Sequence, residues 1–469
     1  MKDIFINEWR GFVRNQLFFV LSILFTGSLA VVTYLGIVQN QTQIEIHHDA
    51  HRHIRSQWDE MKPTNPHGAA HFGSYAFKPN TVLNGIDEGI TSVTGNVLRL
   101  EGHAQNDLVY SEASQSLLIS RFGKLKPALL FQFIIPLFLI FLAFNTYTKE
   151  RESGRIKLLL SQGTSLQKIL LAEVLSVWMI GVLLLLFAIF IQIVFNNQGI
   201  NAETFLRLFT LSLSYALYYL IITTLTVLLS VQFSSSSASL TFAIAVWVLW
   251  TIFLPKIAGN AVEQLSPLPT RVEFKKAMET DRSKGIDGHN PSGDREKELE
   301  KTTLAKYKVD SLSQLPINFD GLVMQADEEY GNSVWDKHFG QLYEQLLSQK
   351  RNYQLSGIIN PFASLQNLSM GSAGTDMIHH LDFLKQAEVY RRAFIKTLND
   401  KHAHGGSKTG EWEWKADNDF FRSVKDFEYS TTSFANLWTK YLIDIVVLAF
   451  WVILLFTLIL YSSKRVSLL

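Results

Sequence analysis

Glu150, Glu152 and Arg155, followed closely by Leu158, Leu159 and Leu160, stand in a bridge from Tyr147 to Glu173 that is too short to fold as a domain. The chemistry these types offer is recognition, not bond-making. The charges supply charge-assisted hydrogen bonds at the rim of a contact, and the leucines supply an apolar anchor for its centre. Gly163-Thr164-Ser165 then turns the chain, with Ser165 placed to cap a following helix. The pattern predicts a short helix parallel to a membrane surface. A solvated loop carrying the positive charge of an inner face fits the same residues.

Histidines form the second candidate set. All 13 lie within two polar segments, 39–126 and 259–440, and the densest run is His47-His48-Asp49-Ala50-His51-Arg52-His53. On a helix His47 and His51 are i, i+4 neighbours that could share a metal, and His379-His380 and His402-x-His404 add further candidates. No acidic or histidine partner stands at a diagnostic distance and cysteine is absent, so structural or solvated histidines are the expectation and no metal site is assigned. Bond-making motifs are missing too. There is no Gly-x-x-x-x-Gly-Lys-Ser/Thr loop, no His-Glu-x-x-His and no Gly-x-Ser-x-Gly. Gly371-Ser372-Ala373-Gly374-Thr375 is glycine-rich but lacks the lysine. The chain is therefore not expected to be an enzyme or to carry a cofactor.

The elements that hold these residues are set by a segregated composition. The 469 residues are 47% hydrophobic and 12% aromatic, yet mean hydropathy is only +0.11, because strongly apolar runs alternate with ordinary polar sequence. That is the pattern of a polytopic membrane protein. A net charge of +1 argues against nucleic acid as a partner, and the absence of cysteine excludes disulfides. Six spans are predicted: Leu17–Val38, Pro127–Tyr147, Ile169–Phe195, Phe205–Val231, Ser239–Ala258 and Tyr441–Tyr461. Each approaches or exceeds the ~20 residues that cross the hydrocarbon core as a helix. The first follows Lys2, Arg10 and Arg14, but its apolar core is longer than that of a secretory signal, so it reads as an uncleaved anchor.

Positive charge sets the orientation. Lys2, Arg10, Arg14, Lys149, Arg151, Arg155, Lys157, Lys168, Lys464 and Arg465 share one side, whereas the turn 196–204 has no lysine or arginine. Both termini and the bridge at 148–168 are thus expected in the cytoplasm. The inner loop 232–238 is a neutral serine run and does not vote. Segments 39–126 and 259–440 fall outside, and their aromatic residues predict folded, packed structure. Phe383, Ala387, Tyr390, Phe394 and Leu398 make one helical stripe, with Thr375 or Asp376 as its cap. Gly285, Gly288, Pro291 and Gly293 mark an exposed loop. No internal repeat is evident. The fold expected is an all-α polytopic membrane protein: six transmembrane helices, an N-terminal amphipathic elbow helix, and a mostly helical extracytoplasmic domain built from two inserts. Its parts are the elbow and first span (1–38), the first insert (39–126), spans two to five (127–258), the second insert (259–440), and the last span with its tail (441–469).

The elbow is predicted from Phe5, Trp9, Phe12 and Val13 on one face, with Asp3, Glu8, Arg10 and Arg14 largely elsewhere. Ionisable groups inside spans are functional candidates by default. Glu173 and Asp444 each lie a turn inside, where a boundary role is the plainer reading. Hydroxyls on the fourth span, from Ser212 to Thr224, suit helix–helix contacts better than a substrate path.

Lys149-Glu150-Arg151-Glu152-Ser153-Gly154-Arg155-Ile156-Lys157-Leu158-Leu159-Leu160-Ser161 after the second span, with six spans and the elbow, resembles the permease subunits of ABC-2 type transporters. In that family the corresponding segment is the coupling helix, which docks on a separate ATP-hydrolysing subunit. A second stretch, Ile359-Asn360-Pro361-Phe362-Ala363-Ser364-Leu365-Gln366-Asn367-Leu368-Ser369-Met370, leads into Gly374-Thr375-Asp376 and His379-His380. With Leu315-Pro316-Ile317-Asn318 and Glu328-Glu329-Tyr330-Gly331 upstream, it is similar to a subgroup carrying a large insert of unknown role before the last span. The resemblance implies an ATPase partner, a second permease copy or paralogue, a lipid bilayer and a bacterial inner membrane, with no established substrate. Three functions stay open at this point: an exporter permease, a mechanical transmitter that reshapes the outer domain without transport, and a membrane-anchored metal-binding sensor.

Overall fold

The computed structural model describes residues 2–106, 125–286 and 292–465. Among them six helices are long and apolar enough to cross a membrane: Phe18–Asp59, Pro127–Glu152, Leu166–Phe195, Ala202–Gln232, Ser236–Leu265 and Phe434–Lys464. They are numbered here as spans 1 to 6. Span 1 differs most from expectation. It belongs to one unbroken helix, Gln16–Asp59, of 44 residues. At 1.5 Å per residue that is about 66 Å, roughly twice the hydrocarbon thickness. No proline interrupts the chain before Pro63, and Arg55 pairs with Asp59 at 2.6 Å across one turn, so the polar half continues as a rod that carries the histidine run.

Spans 2 and 5 share a device. Each contains a π-helical turn, Leu130–Ile134 and Leu249–Phe253, ahead of Pro136 and Pro255 respectively. In π geometry the next carbonyls, of Phe131 and Trp250, would accept from the N–H that each proline lacks. Both are satisfied from outside the helix. The Tyr219 hydroxyl donates to the Phe131 carbonyl at 3.1 Å, and Asn360 Nδ2 donates to the Trp250 carbonyl at 2.9 Å.

Spans 3 and 4 form the centre, with Tyr215, Tyr218 and Tyr219 fully buried. Spans 1, 5 and 6 are mostly uncovered: only 17%, 22% and 28% of their most apolar windows are buried. Their apolar faces are therefore left for lipid or another chain.

The stretch from Asn360 onward, expected in the outer domain, is seated in the bundle. Asn360 caps the helix Pro361–Ala373 by accepting from Phe362 N–H. Phe362, Leu365 and Leu368 join the same apolar core as the spans. Phe362 lies against Phe133 and Tyr218, with centroids 5.3 and 6.0 Å apart. Gly371 is obligatory here, since a Cβ would lie 2.3 Å from a Tyr441 ring carbon. This helix is apolar or small on nearly every side, which is what a buried helix needs.

Outside the bundle, the long helix Phe319–Leu355 packs on Met377–His404. In the latter Phe383, Ala387, Phe394 and Leu398 are buried, and the cap is Asp376, accepting from His379 N–H. The first insert adds a small antiparallel hairpin that composition did not announce, β1 (Ser74–Phe77) with β2 (Val97–Leu100), in register Ser74 to Leu100. The two inserts pack together: Trp58 lies tilted against Phe394 and edge-on to Phe421, with centroids 5.2 and 5.8 Å apart, and Arg391 reaches Glu328 and the Glu101 carbonyl. Of the expected loop, Gly293 lies inside the helix Ser292–Tyr307, while Gly288 and Pro291 fall outside the described residues.

Candidate functional site

The bridge is two short helices where one was expected, Thr146–Glu152 and Arg155–Ser161. Gly154 separates them in the left-handed region at φ 75°, the conformation that ends a helix at least cost for glycine. Ser165 stands at the cap of the next helix, but its side chain makes no capping hydrogen bond.

The six recognition residues divide between two faces. Glu152 and Arg155 are exposed, and Leu158 is 64% exposed. Leu159 is half-buried and Leu160 packs on the bundle core, as does the fully buried Ile156. Glu150 turns inward, its side chain only 12% exposed, and pairs with Arg155 Nη1 at 2.8 Å. The structure thus brings Glu152, Arg155 and Leu158 to the outer surface and uses Glu150 and Leu160 to seat the segment.

Hydrogen bonds fix this seat. Arg151 Nη2 donates to the carbonyls of Phe233 and Ser234 at 3.2 and 2.7 Å. The N–H groups of Tyr147 and Thr148 both donate to Ser230 Oγ at 3.2 Å. Thr148 and Ser236 share a hydroxyl contact of 2.7 Å, and Gln232 Nε2 donates to Ser462 Oγ at 2.8 Å. Bridge, serine loop and the end of span 6 therefore gather at one pole of the bundle. The elbow helix Lys2–Arg14 joins them, with Trp9 and Phe12 against the core. Burial, then the Glu150 carboxylate, lift the Glu8 carboxyl above its ordinary value, with Arg155 and Lys149 opposing. Glu173 is fully buried beneath the same group, with Glu8 and Glu150 as its electrostatic neighbours. Sequence reasoning missed this convergence, because three separate elements supply the three carboxyls.

At the opposite pole the spans grip the inserts. Arg207 of span 4 is buried and donates to the carbonyls of Ser372 and Thr432 at 3.2 and 3.3 Å. It also pairs with Glu203 at 2.7 Å, and Glu203 accepts from Phe434 N–H at 2.7 Å. Gln192 Nε2 of span 3 donates to the Val82 carbonyl at 2.9 Å. Asp444 is fully buried and accepts from Gln354 Nε2 at 2.8 Å, so it ties span 6 to the long outer helix. Among the fourth-span hydroxyls, Tyr215 contacts Ser369 Oγ of the inserted helix at 2.9 Å and Gln132 Nε2 at 3.2 Å. These two contacts join helices, whereas Ser212 and Ser214 donate to carbonyls of their own helix at 2.7 Å. His379 holds Asp376 at 2.6 Å, and His402 meets Asn318 at 3.3 Å, so both are occupied structurally.

Two family models match the chain. Residues 3–313 match a family model described as ABC-2 family transporter protein. Residues 271–430 match one described as Domain of unknown function (DUF3526), which takes in the inserted helix. No curated protein and no solved structure matches the chain.

Proposed function

This chain belongs to the ABC-2 transporter family, whose membrane components work with an ATPase partner, and we propose that it is the permease subunit of an exporter in a bacterial cytoplasmic membrane. The bridge pole faces the cytoplasm and docks on the ATP-binding cassette subunit. The observation that carries this reading is Leu158. A leucine left 64% exposed on a short, hydrogen-bonded segment, flanked by the exposed Glu152 and Arg155, is an apolar anchor with a charged rim. A second permease copy or a paralogue would cover the open faces of spans 1 and 5 and complete a pathway. The substrate stays undefined.

ATP turnover in the reconstituted complex tests the reading. Leu158→Asp and Leu159→Asp are expected to dissociate or uncouple the ATPase. Ser235→Asp, in the neighbouring loop, is expected to change little, because aspartate caps the following helix as serine does. Normal association and turnover in both leucine variants would reject it.

A second reading, mechanical transmission without transport, is favoured by a separate observation. The inserted helix occupies the bundle between spans 4 and 6, and the rod of span 1 ends on Trp58 inside the outer domain. A stroke at the bridge pole would then reshape the outer domain directly. Outer-domain movement without substrate-stimulated ATP turnover would select this reading.

A further inference from the structure

We propose that His67, His71 and His103, in the domain built by the two inserts, form a three-histidine site for one divalent transition-metal ion of the zinc(II) class. The site lies in the first insert, outside the bridge at 147–173, and the inference does not depend on what, if anything, is transported.

Local sequence builds its first half. Asn65 Oδ1 accepts the His67 N–H at 2.8 Å and Pro66 takes the first helical position, so Pro66–Phe72 is a helix. His67 and His71 are one turn apart on it, while Ala69 and Ala70 bury the other face. The two Nε2 atoms lie 3.1 Å apart. Metal–nitrogen bonds of 2.0–2.1 Å at a tetrahedral angle place two ligand nitrogens about 3.3–3.4 Å apart. The pair is therefore nearly at ligand spacing already.

Tertiary structure supplies the third member. Gly102 N–H donates to the Ala70 carbonyl at 3.0 Å, which holds the turn against the helix. His103 then adopts the left-handed region at φ 62°, and one ligand nitrogen from each of the three histidines lies within 4.8 Å of the others.

Orientation is fixed from behind. His103 Nδ1 is 2.9 Å from Glu328 Oε1, and the His103 backbone N–H donates to the same oxygen. Glu328 is buried and held in turn by Arg391 Nη1 at 3.2 Å. A carboxylate on Nδ1–H leaves Nε2 with its lone pair, which is the arrangement that presents imidazole to a metal. The cations around the site are already paired. Arg99 binds the His71 carbonyl and Glu101, and Arg282 binds the His103 carbonyl and Asp327. His71 is exposed, so a fourth position opens to water.

Zinc(II) competition against a chromophoric chelator, on full-length, tag-free protein in detergent, tests the site. Cobalt(II) absorption reads the geometry. One zinc per chain is expected, with tetrahedral cobalt spectra. His103→Asn removes the ligand while asparagine tolerates the left-handed backbone, and it should abolish the tetrahedral spectrum and weaken zinc at least as much as Glu328→Gln. Glu328→Gln should weaken zinc by about 10–100-fold. His47→Gln/His51→Gln should bind as the parent does. Absence of stoichiometric zinc in the parent, or unchanged affinity and spectra in His103→Asn, would overturn the proposal and leave only an imidazole cluster.

Discussion

Leu158→Ala isolates the anchor from the fold. The side chain is 64% exposed in the free chain, so trimming it removes little from the bundle core. If docking covers that exposed fraction, the loss scales with it. Full burial of a leucine contributes about 1.5–3 kcal/mol, and 64% of that is about 1–1.9 kcal/mol. Affinity for the ATPase subunit should fall by about 5- to 25-fold, with no change in melting temperature. Ile156→Ala is the counterpart, because Ile156 is buried and its truncation should cost about 2–5 kcal/mol of fold stability. Binding of the purified ATPase to permease in nanodiscs, with parallel thermal melts, measures both. Unchanged affinity in Leu158→Ala, or a melting loss equal to that of Ile156→Ala, would refute the reasoning.

Three further outcomes follow from the same structure. A cysteine replacing the exposed Ser292 should react with a membrane-impermeant maleimide only from the side opposite the bridge; labelling from the cytoplasm alone would reverse the topology. Arg207→Ala leaves the carbonyls of Ser372 and Thr432 without this donor, while Glu203 is 31% exposed and keeps the Phe434 N–H, and it should lower stability by roughly 1–3 kcal/mol; an unchanged melting temperature would show that the outer grip is dispensable. His380 has its pKa lowered to about 4 by burial, then by Lys78. Because the folded pKa lies below the unfolded one of about 6.5, stability is complete above that pH. It falls by about 1.4 kcal/mol per pH unit toward pH 4. His380→Gln should flatten that slope in pH-dependent melts, and equal slopes would remove His380 as the cause.

The spans were legible because each is an apolar run long enough to cross a membrane, and composition alone separates them from the inserts. The elbow and the bridge were legible for the same reason, as local patterns of charge and leucine. Orientation within the bridge was not. Which of Leu158, Leu159 and Leu160 faces outward depends on the break at Gly154 and on the serine loop that grips Arg151. The inserted helix escaped because residues 361–373 are too few to read as a span, and only contact with Tyr215, Tyr218 and Tyr441 shows where it lies. His67 and His71 carried a readable i, i+4 spacing behind an Asn-Pro cap. His103 carried none, since a hairpin and a turn bring it there.

Cross-linking from position 158 tests the central claim most directly. The chain has no cysteine, so Leu158→Cys supplies one thiol on the proposed contact, and a heterobifunctional maleimide reagent can capture whatever lies against it in the membrane. The account predicts a covalent adduct with the ATP-binding cassette subunit, lost when the two subunits are separated, and no such adduct from Ser292→Cys. No adduct from Leu158→Cys, or an equal one from Ser292→Cys, would contradict it.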